Sequence, residues 1–127
     1  MEIRTVQTEN APKAVGPYAQ ATVYGNLVFC SGQVPLDPGT GELAGSTPEE
    51  QAQQCLKNLQ AVLSAAGSSL QQALKITIYI TDMKQFSVIN KVYGQFLQEP
   101  YPARACIEVS GLPKGADVEM EAIAFTG

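Results

Sequence analysis

The chain contains no histidine. That removes the commonest general base near neutral pH, the Ser-His and Cys-His dyads, and most zinc sites. Any chemistry falls to Arg, Glu, Asp, Tyr, Cys, Ser, backbone groups or water. Charge is also sparse: 16% of residues are charged, and eight Lys and Arg against twelve Asp and Glu leave a net charge of −4. With a pI near 4.7 and no basic run, the chain lacks the positive stripe of a protein that grips a phosphate backbone, so nucleic acid is an unexpected partner. No apolar stretch approaches the roughly 20 residues of a membrane span. The opening Met1-Glu2-Ile3-Arg4-Thr5-Val6 lacks the long apolar centre of a secretory signal. Cysteine is limited to Cys30, Cys55 and Cys106, an odd number without C-x-x-C spacing. That pattern reads as reduced thiols in a cytoplasmic protein with no membrane partner.

What is present is a globular balance. The 127 residues, 45% of them hydrophobic, match one domain over 1–127, without repeats, low-complexity tracts or a linker. A chain of this size buries roughly two thirds of its unfolded surface. The element pattern reads β-β-α-β-α-β-β. Tyr18 to Val34 is two strands meeting at Gly25-Asn26, and the second contains the apolar run Leu27-Val28-Phe29-Cys30. A turn-rich loop follows from Pro35 to Gly41. The first helix has Thr47 as its cap, Pro48 at its first position, Glu50 completing a capping box, and Gly67 as its stop. Ala52, Cys55, Leu56, Leu59, Val62, Leu63 and Ala66 follow its 3.6-residue period, which makes Cys55 a core residue.

Leu74 to Thr81 alternates, with Ile76, Ile78 and Ile80 on one face and Lys75, Thr77 and Tyr79 on the other. A second helix is expected from about Lys84 to Leu97, then a bend at Pro100-Tyr101-Pro102, a strand from Ala103 to Val109, and a last strand from Val118 to Phe125. An α+β sandwich follows, with one sheet and two helices on one face. The other face, with Tyr79, Ile123 and Phe125, has no third helix to cover it. Coverage by a second copy of the chain is the economical answer, so the pattern predicts a homo-oligomer.

Several residues invite a chemical reading. Glu119 and Glu121 share a face with Ile123 and Phe125, as alternation requires. They are either a solvated strand end or carboxylates in a partly closed site, able to polarise water. Arg104, flanked by Ala103 and Ala105, is either a surface ion-pair residue or a planar fork for a carboxylate ligand. Cys106 lies on the same face as Arg104; with no histidine and no helix start to stabilise a thiolate, it reads as inert rather than nucleophilic. Tyr18 follows the Gly16-Pro17 turn and is a core aromatic or a hydroxyl donor. Ser31-Gly32 is a strand-ending bend or a source of hydroxyl and N–H groups for a ligand. Asn90 interrupts the apolar side of the second helix, where it can cap or orient a neighbour.

Taken in order, several stretches resemble the reactive intermediate deaminase family, RidA, also called YjgF. They are Thr8-Glu9-Asn10-Ala11-Pro12, Gly16-Pro17-Tyr18-Ala19-Gln20-Ala21, Phe29-Cys30-Ser31-Gly32-Gln33-Val34-Pro35, Asn58-Leu59, Ala65-Ala66-Gly67, Pro102 to Val109, and Val118 to Ala124. They span nearly the whole chain. The resemblance implies a chorismate-mutase-like fold and a homotrimer with a central barrel and clefts between subunits. It implies hydrolysis of 2-iminobutanoate and 2-iminopropanoate to 2-ketoacids and ammonia, protecting pyridoxal-phosphate enzymes, with no cofactor and no metal. It assigns Arg104 to the substrate carboxylate and Glu119 to the attacking water, with Glu121 as its rival. Tyr18, Ser31, Gly32, Asn90 and Cys106 line the cleft, Cys106 mainly through its backbone. The segment between Tyr93 and Arg104 is shorter than in some members, which bears on the cleft rim. Two rival readings are a non-enzymatic module that binds a small acid, and a ribonuclease or translation inhibitor. The acidic pI and missing histidine count against the second.

Overall fold

The computed structural model describes residues 2–127. In chain order its elements are β1 (Arg4–Val6), β2 (Ala21–Tyr24), β3 (Leu27–Gln33), α1 (Pro48–Ala65), β4 (Ala73–Ile80), α2 (Phe86–Phe96), β5 (Ala103–Glu108) and β6 (Val118–Phe125). All six strands join one mixed sheet in the order β1-β2-β3-β6-β4-β5. Neighbours are antiparallel except β4 and β5, which run parallel and are connected through α2. The α+β class with two helices and one sheet is as the pattern predicts.

Apart from strand ends that move by a residue, three features differ from expectation. The sheet gains an edge strand, β1, three residues long and pairing Thr5 with Thr22. Three residues carry too little alternation to be read alone; tertiary pairing makes this strand, aided by the Arg4 guanidinium donating to the Ala66 carbonyl at 3.2 Å. β2 begins at Ala21 rather than Tyr18, because Gly16, at φ 126°, and Pro17 turn the chain just before it. α2 begins at Phe86, after a 3₁₀ turn over Met83–Gln85 in which the Asp82 side chain accepts from the Lys84 N–H.

α1 forms as read. Thr47 accepts from the Glu50 N–H and the Glu50 side chain accepts from the Thr47 N–H, closing the box. Such a cap contributes about 1 kcal/mol. The helix buries Ala52, Cys55, Leu56, Leu59, Val62 and Leu63 against Val28, Ile76, Ile78, Ile80, Val118 and Met120 of the sheet. α2 adds Ile89, Val92 and Tyr93 to the same core.

Between Cys30 and Gln33 of β3 the register against β6 shifts by one residue, from Cys30↔Ala122 to Gln33↔Met120. Ser31 and Gly32 therefore share the place opposite Glu121, a β-bulge. The extra residue explains why Cys30 and Gln33, three apart, are both buried on the helix side.

Buried amides tie the loops to this frame. Gln20 accepts from the Thr8 N–H and donates to the carbonyls of Thr8, Ala11 and Pro12. Asn58 donates to the carbonyls of Val34 and Leu36, and Gln51 accepts from the Asp117 N–H. Each amide thereby satisfies backbone groups that a loop would otherwise leave unpaired.

Candidate functional site

The candidate residues fall on two sides of the sheet. In the parallel pairing Arg104 lies beside Ile76 and Cys106 beside Ile78, so both point to the helix side. There the Arg104 guanidinium donates to Asn90 Oδ1 at 2.5 Å. Its Cζ stands 5.4 Å from the centre of the Phe86 ring and 4.9 Å from that of Tyr93. Phe86, Asn90 and Tyr93 are spaced i, i+4 and i+7 and so form one stripe of α2. Two aromatic faces and one neutral amide hold the arginine upright. Among the described residues no carboxylate pairs with it.

Asn90, Tyr93, Gly94, Tyr101, Pro102 and Arg104 line an open groove of about 450 Å³. Tyr101 is exposed at its rim. The Tyr93 hydroxyl is buried without a partner, and burial raises its pKa while the Arg104 charge pulls it down. The Cys106 thiol is likewise pushed up by burial, against the same arginine. It is a protonated, poorly nucleophilic thiol at neutral pH, as its sequence context suggests. Cys30 is pushed up to about 12 by burial and by the Glu121 charge, and Cys55 well above its ordinary value by burial.

Glu119 faces the other way. It pairs with Tyr79 across β4 and β6, on the face without helices. Its carboxylate lies over the bulge: a Cβ added to Gly32 would collide with Glu119 Oε2. A side chain at this position would have to push that carboxylate aside. Partial burial, and then the neighbouring Glu121, raise the Glu119 pKa above the ordinary carboxylate value. Tyr79 donates its hydroxyl to Glu121, and that bond holds the tyrosine's own pKa up at about 12.

Ser31 ties the bulge to the loop before β2. Its hydroxyl donates to the Ala19 carbonyl at 2.6 Å, and its N–H donates to the Gln20 carbonyl at 2.9 Å. Next to Ala19 stands Tyr18, 53% exposed, on the wall of a second groove of about 980 Å³. That groove runs between the N-terminal segment and Pro38-Gly39. The structure thus sets Arg104, Asn90 and Cys106 on one side of the sheet and Glu119 and Glu121, with Gly32 beneath the Glu119 carboxylate, on the other, while Tyr18 lines the second groove. A single chain does not bring Arg104 and Glu119 together.

In the sequence, Phe86 and Tyr93, which seat the arginine, read only as apolar positions on one side of the second helix. The signal was available in the polar Asn90 set between two aromatics at heptad spacing. Gln20 and Tyr79 gave no such sign, because their partners are set by tertiary pairing.

The same open face is apolar around the acids. Tyr24, Leu27, Phe29, Ile107 and Phe125 are 36–49% exposed along it. Among the described residues no helix is long and apolar enough to cross a membrane, and no cluster of three or more His, Cys, Asp or Glu could hold a metal ion.

Comparison with known proteins fits this geometry into a family. Residues 8–126 match the family model described as endoribonuclease L-PSP. The RutC family protein y4sK of Sinorhizobium fredii is 54% identical over 121 residues, which cover 95% of this chain and 96% of that one. The human 2-iminobutanoate/2-iminopropanoate deaminase is 39% identical over 124 residues, 98% of this chain and 90% of the relative. Among solved structures, Escherichia coli TdcF with bound serine superposes with a TM-score of 0.92 at 41% identity, covering 98% of this chain and 99% of TdcF. An ordered match from the N-terminal loop to the last strand, over one fold, leaves a single conclusion: the chain belongs to the endoribonuclease L-PSP family, the YjgF/RidA family of which reactive intermediate deaminases are members.

Proposed function

We propose that the protein hydrolyses 2-iminobutanoate and 2-iminopropanoate to the 2-ketoacids and ammonia in the cytoplasm, as a homotrimer that needs no cofactor. The observation that carries this reading is the Arg104 guanidinium, braced by Asn90, Phe86 and Tyr93 at the wall of a groove and unpaired with any acid. A rigid fork of this kind suits the carboxylate of a small 2-iminoacid. The human relative's name and the serine held by TdcF support a small amino-acid-like ligand.

Arg104 and Glu119 lie on opposite faces of one sheet, so a neighbouring subunit completes the site. The exposed apolar residues of the open face form the contact, the sheets close as a barrel, and the Glu119 face of one protomer meets the Arg104 groove of the next. Arg104 fixes the substrate carboxylate. Glu119 accepts a proton from a water whose oxygen adds to the C=N carbon. Return of that proton to the nitrogen of the carbinolamine makes ammonia the leaving group, and the C–N bond breaks as the carbinol hydroxyl gives its own proton to Glu119 and becomes the ketoacid carbonyl. The iminium carbon is already electrophilic, so positioning supplies most of the rate effect. Tyr18, Ser31, Gly32 and the backbone at Cys106 line the site.

The test is a coupled assay in which a threonine or serine dehydratase generates the imine and ketoacid formation is followed. The wild-type protein accelerates it; Arg104→Ala, still folded and of unchanged size, loses about a hundredfold or more in kcat/KM, the scale of an unpaired charge contact. Near-normal turnover by that variant removes Arg104 from the mechanism. RNA cleavage by the wild type, lost in Arg104→Ala, would instead favour the nuclease named in the family description.

A further inference from the structure

The two acids of the open face are unequally partnered. β6 presents both Glu119 and Glu121 there. In the register, β4 sets Tyr79 directly opposite Glu119 and Thr77 opposite Glu121. Position alone assigns the tyrosine to Glu119. Its hydroxyl goes instead to the diagonal neighbour, Glu121 Oε1. Diagonal residues of an antiparallel pair lie about 7–8 Å apart, within the reach of a tyrosine. Glu119 is left with no hydrogen-bond donor among the described residues, and its carboxylate extends over Gly32, where the missing side chain makes room for it.

We propose that Tyr79 and Glu121 are a positioning pair: the tyrosine ties down one carboxylate of two, so that the other, Glu119, stays free above Gly32 to handle the water. This rests on the imine-hydrolase reading and adds to it a division of labour between two acids that the strand pattern makes look equivalent. Glu121, held as an acceptor, acts on Glu119 through its charge. A fixed like charge makes a neighbouring carboxylate bind its proton more tightly and so makes it a better base.

Within one chain the other groups facing Glu119 leave that role to Glu121; the guanidinium of Arg104 of the partner subunit, which the proposed assembly brings to this face, lowers the Glu119 pKa in wild type and Glu121→Gln alike and so drops out of the difference between them. From β4 come Tyr79 and, farther along the face, Lys75. From β3 come Ser31 and Gly32, and from β5 Ala105 and Ile107, none of which titrates in the relevant range. From beneath the sheet α1 brings Cys55, whose thiol feels the Glu119 charge and is itself held protonated by burial.

The test uses Glu121→Gln, Tyr79→Phe and the double variant, because glutamine keeps the acceptor's shape and the hydroxyl's partner while removing the charge. Glu121→Gln moves the acidic limb of kcat/KM to lower pH by roughly half a unit to one unit. Glu119→Gln removes activity across the whole range. Tyr79→Phe lowers kcat several-fold by releasing a competing carboxylate, and the double variant is no worse than Glu121→Gln alone, a non-additivity expected of one linked pair. An acidic limb unmoved in Glu121→Gln, or effects of the two single changes that simply add, overturns the proposal. Loss of activity in Glu121→Gln with retention in Glu119→Gln reverses the roles and overturns it too. Titration of the glutamate carboxylates by carbon NMR in the wild type and Glu121→Gln reads the Glu119 pKa directly. That arm decides the pair even if the wild-type chain hydrolyses no imine, an outcome that sinks the functional reading by itself.

Discussion

The two faces of the sheet use the same strands in opposite ways. On the helix side Val28, Ile76, Ile78, Ile80, Val118 and Met120 are sealed by α1 and α2, all at 0% exposure. On the other side the alternate residues of those strands, Phe29, Tyr79, Glu119, Glu121, Ile123 and Phe125, mix large apolar groups with acids and remain partly or largely open. A side chain on the first face supports the fold; a side chain on the second is free to support assembly and chemistry. Carboxylates survive there because the face is incompletely desolvated, and partial burial is what raises the Glu119 pKa rather than neutralising the group outright.

That contrast can be broken by pairing substitutions across it. Phe29→Asp, on the open face, shifts the species seen by light scattering toward the 13.5 kDa single chain and abolishes activity, because the proposed site is built from two subunits. An unchanged assembly with this variant removes the open face as the contact. Ile78→Ala, on the sealed face, costs about 2–5 kcal/mol in denaturant unfolding and leaves the assembly of the folded fraction intact. Gly32→Ala reaches through from backbone to site: the new methyl group displaces the Glu119 carboxylate, a flexible end, so kcat falls about tenfold while thermal stability changes little. The acidic limb of the wild-type kcat/KM profile lies above pH 4.5, since a raised carboxylate pKa means protonation, and loss of the base, already at higher pH as acid is added. A limb at or below that value disconnects Glu119 from the rate. Smallest is Cys106→Ser, with activity within a few-fold of wild type, because burial keeps this thiol protonated.

How far these features could be read without coordinates depends on whether their causes are local. α1 was legible to the residue at its start, since Thr47, Pro48 and Glu50 carry the whole signal within four positions. The alternation of Ile76, Ile78 and Ile80 gave the buried side of β4 in the same way. β1 was not legible, because its reason to be extended is a partner strand fifteen residues or more away. The separation of Arg104 from Glu119 was equally hidden. Alternation sorts residues within a strand, but only the pairing of β4 with both β5 and β6 decides which side of one strand matches which side of the next. Arg104 could be named from its small neighbours and from family resemblance. Its aromatic seat had to await the docking of α2.

The bulge at Ser31-Gly32 has a consequence for how this chain can drift. One surplus residue lets β3 show Gln33 inward after Cys30. Deleting a codon there would exchange inside for outside along everything that follows in the strand, and inserting one would do the same. The hairpin closed by the Leu36–Leu43 bridge faces no such arithmetic and can lengthen or shorten at its tip. Descendants of this sequence are therefore free to vary in length a few residues downstream, and barred from it at the kink itself.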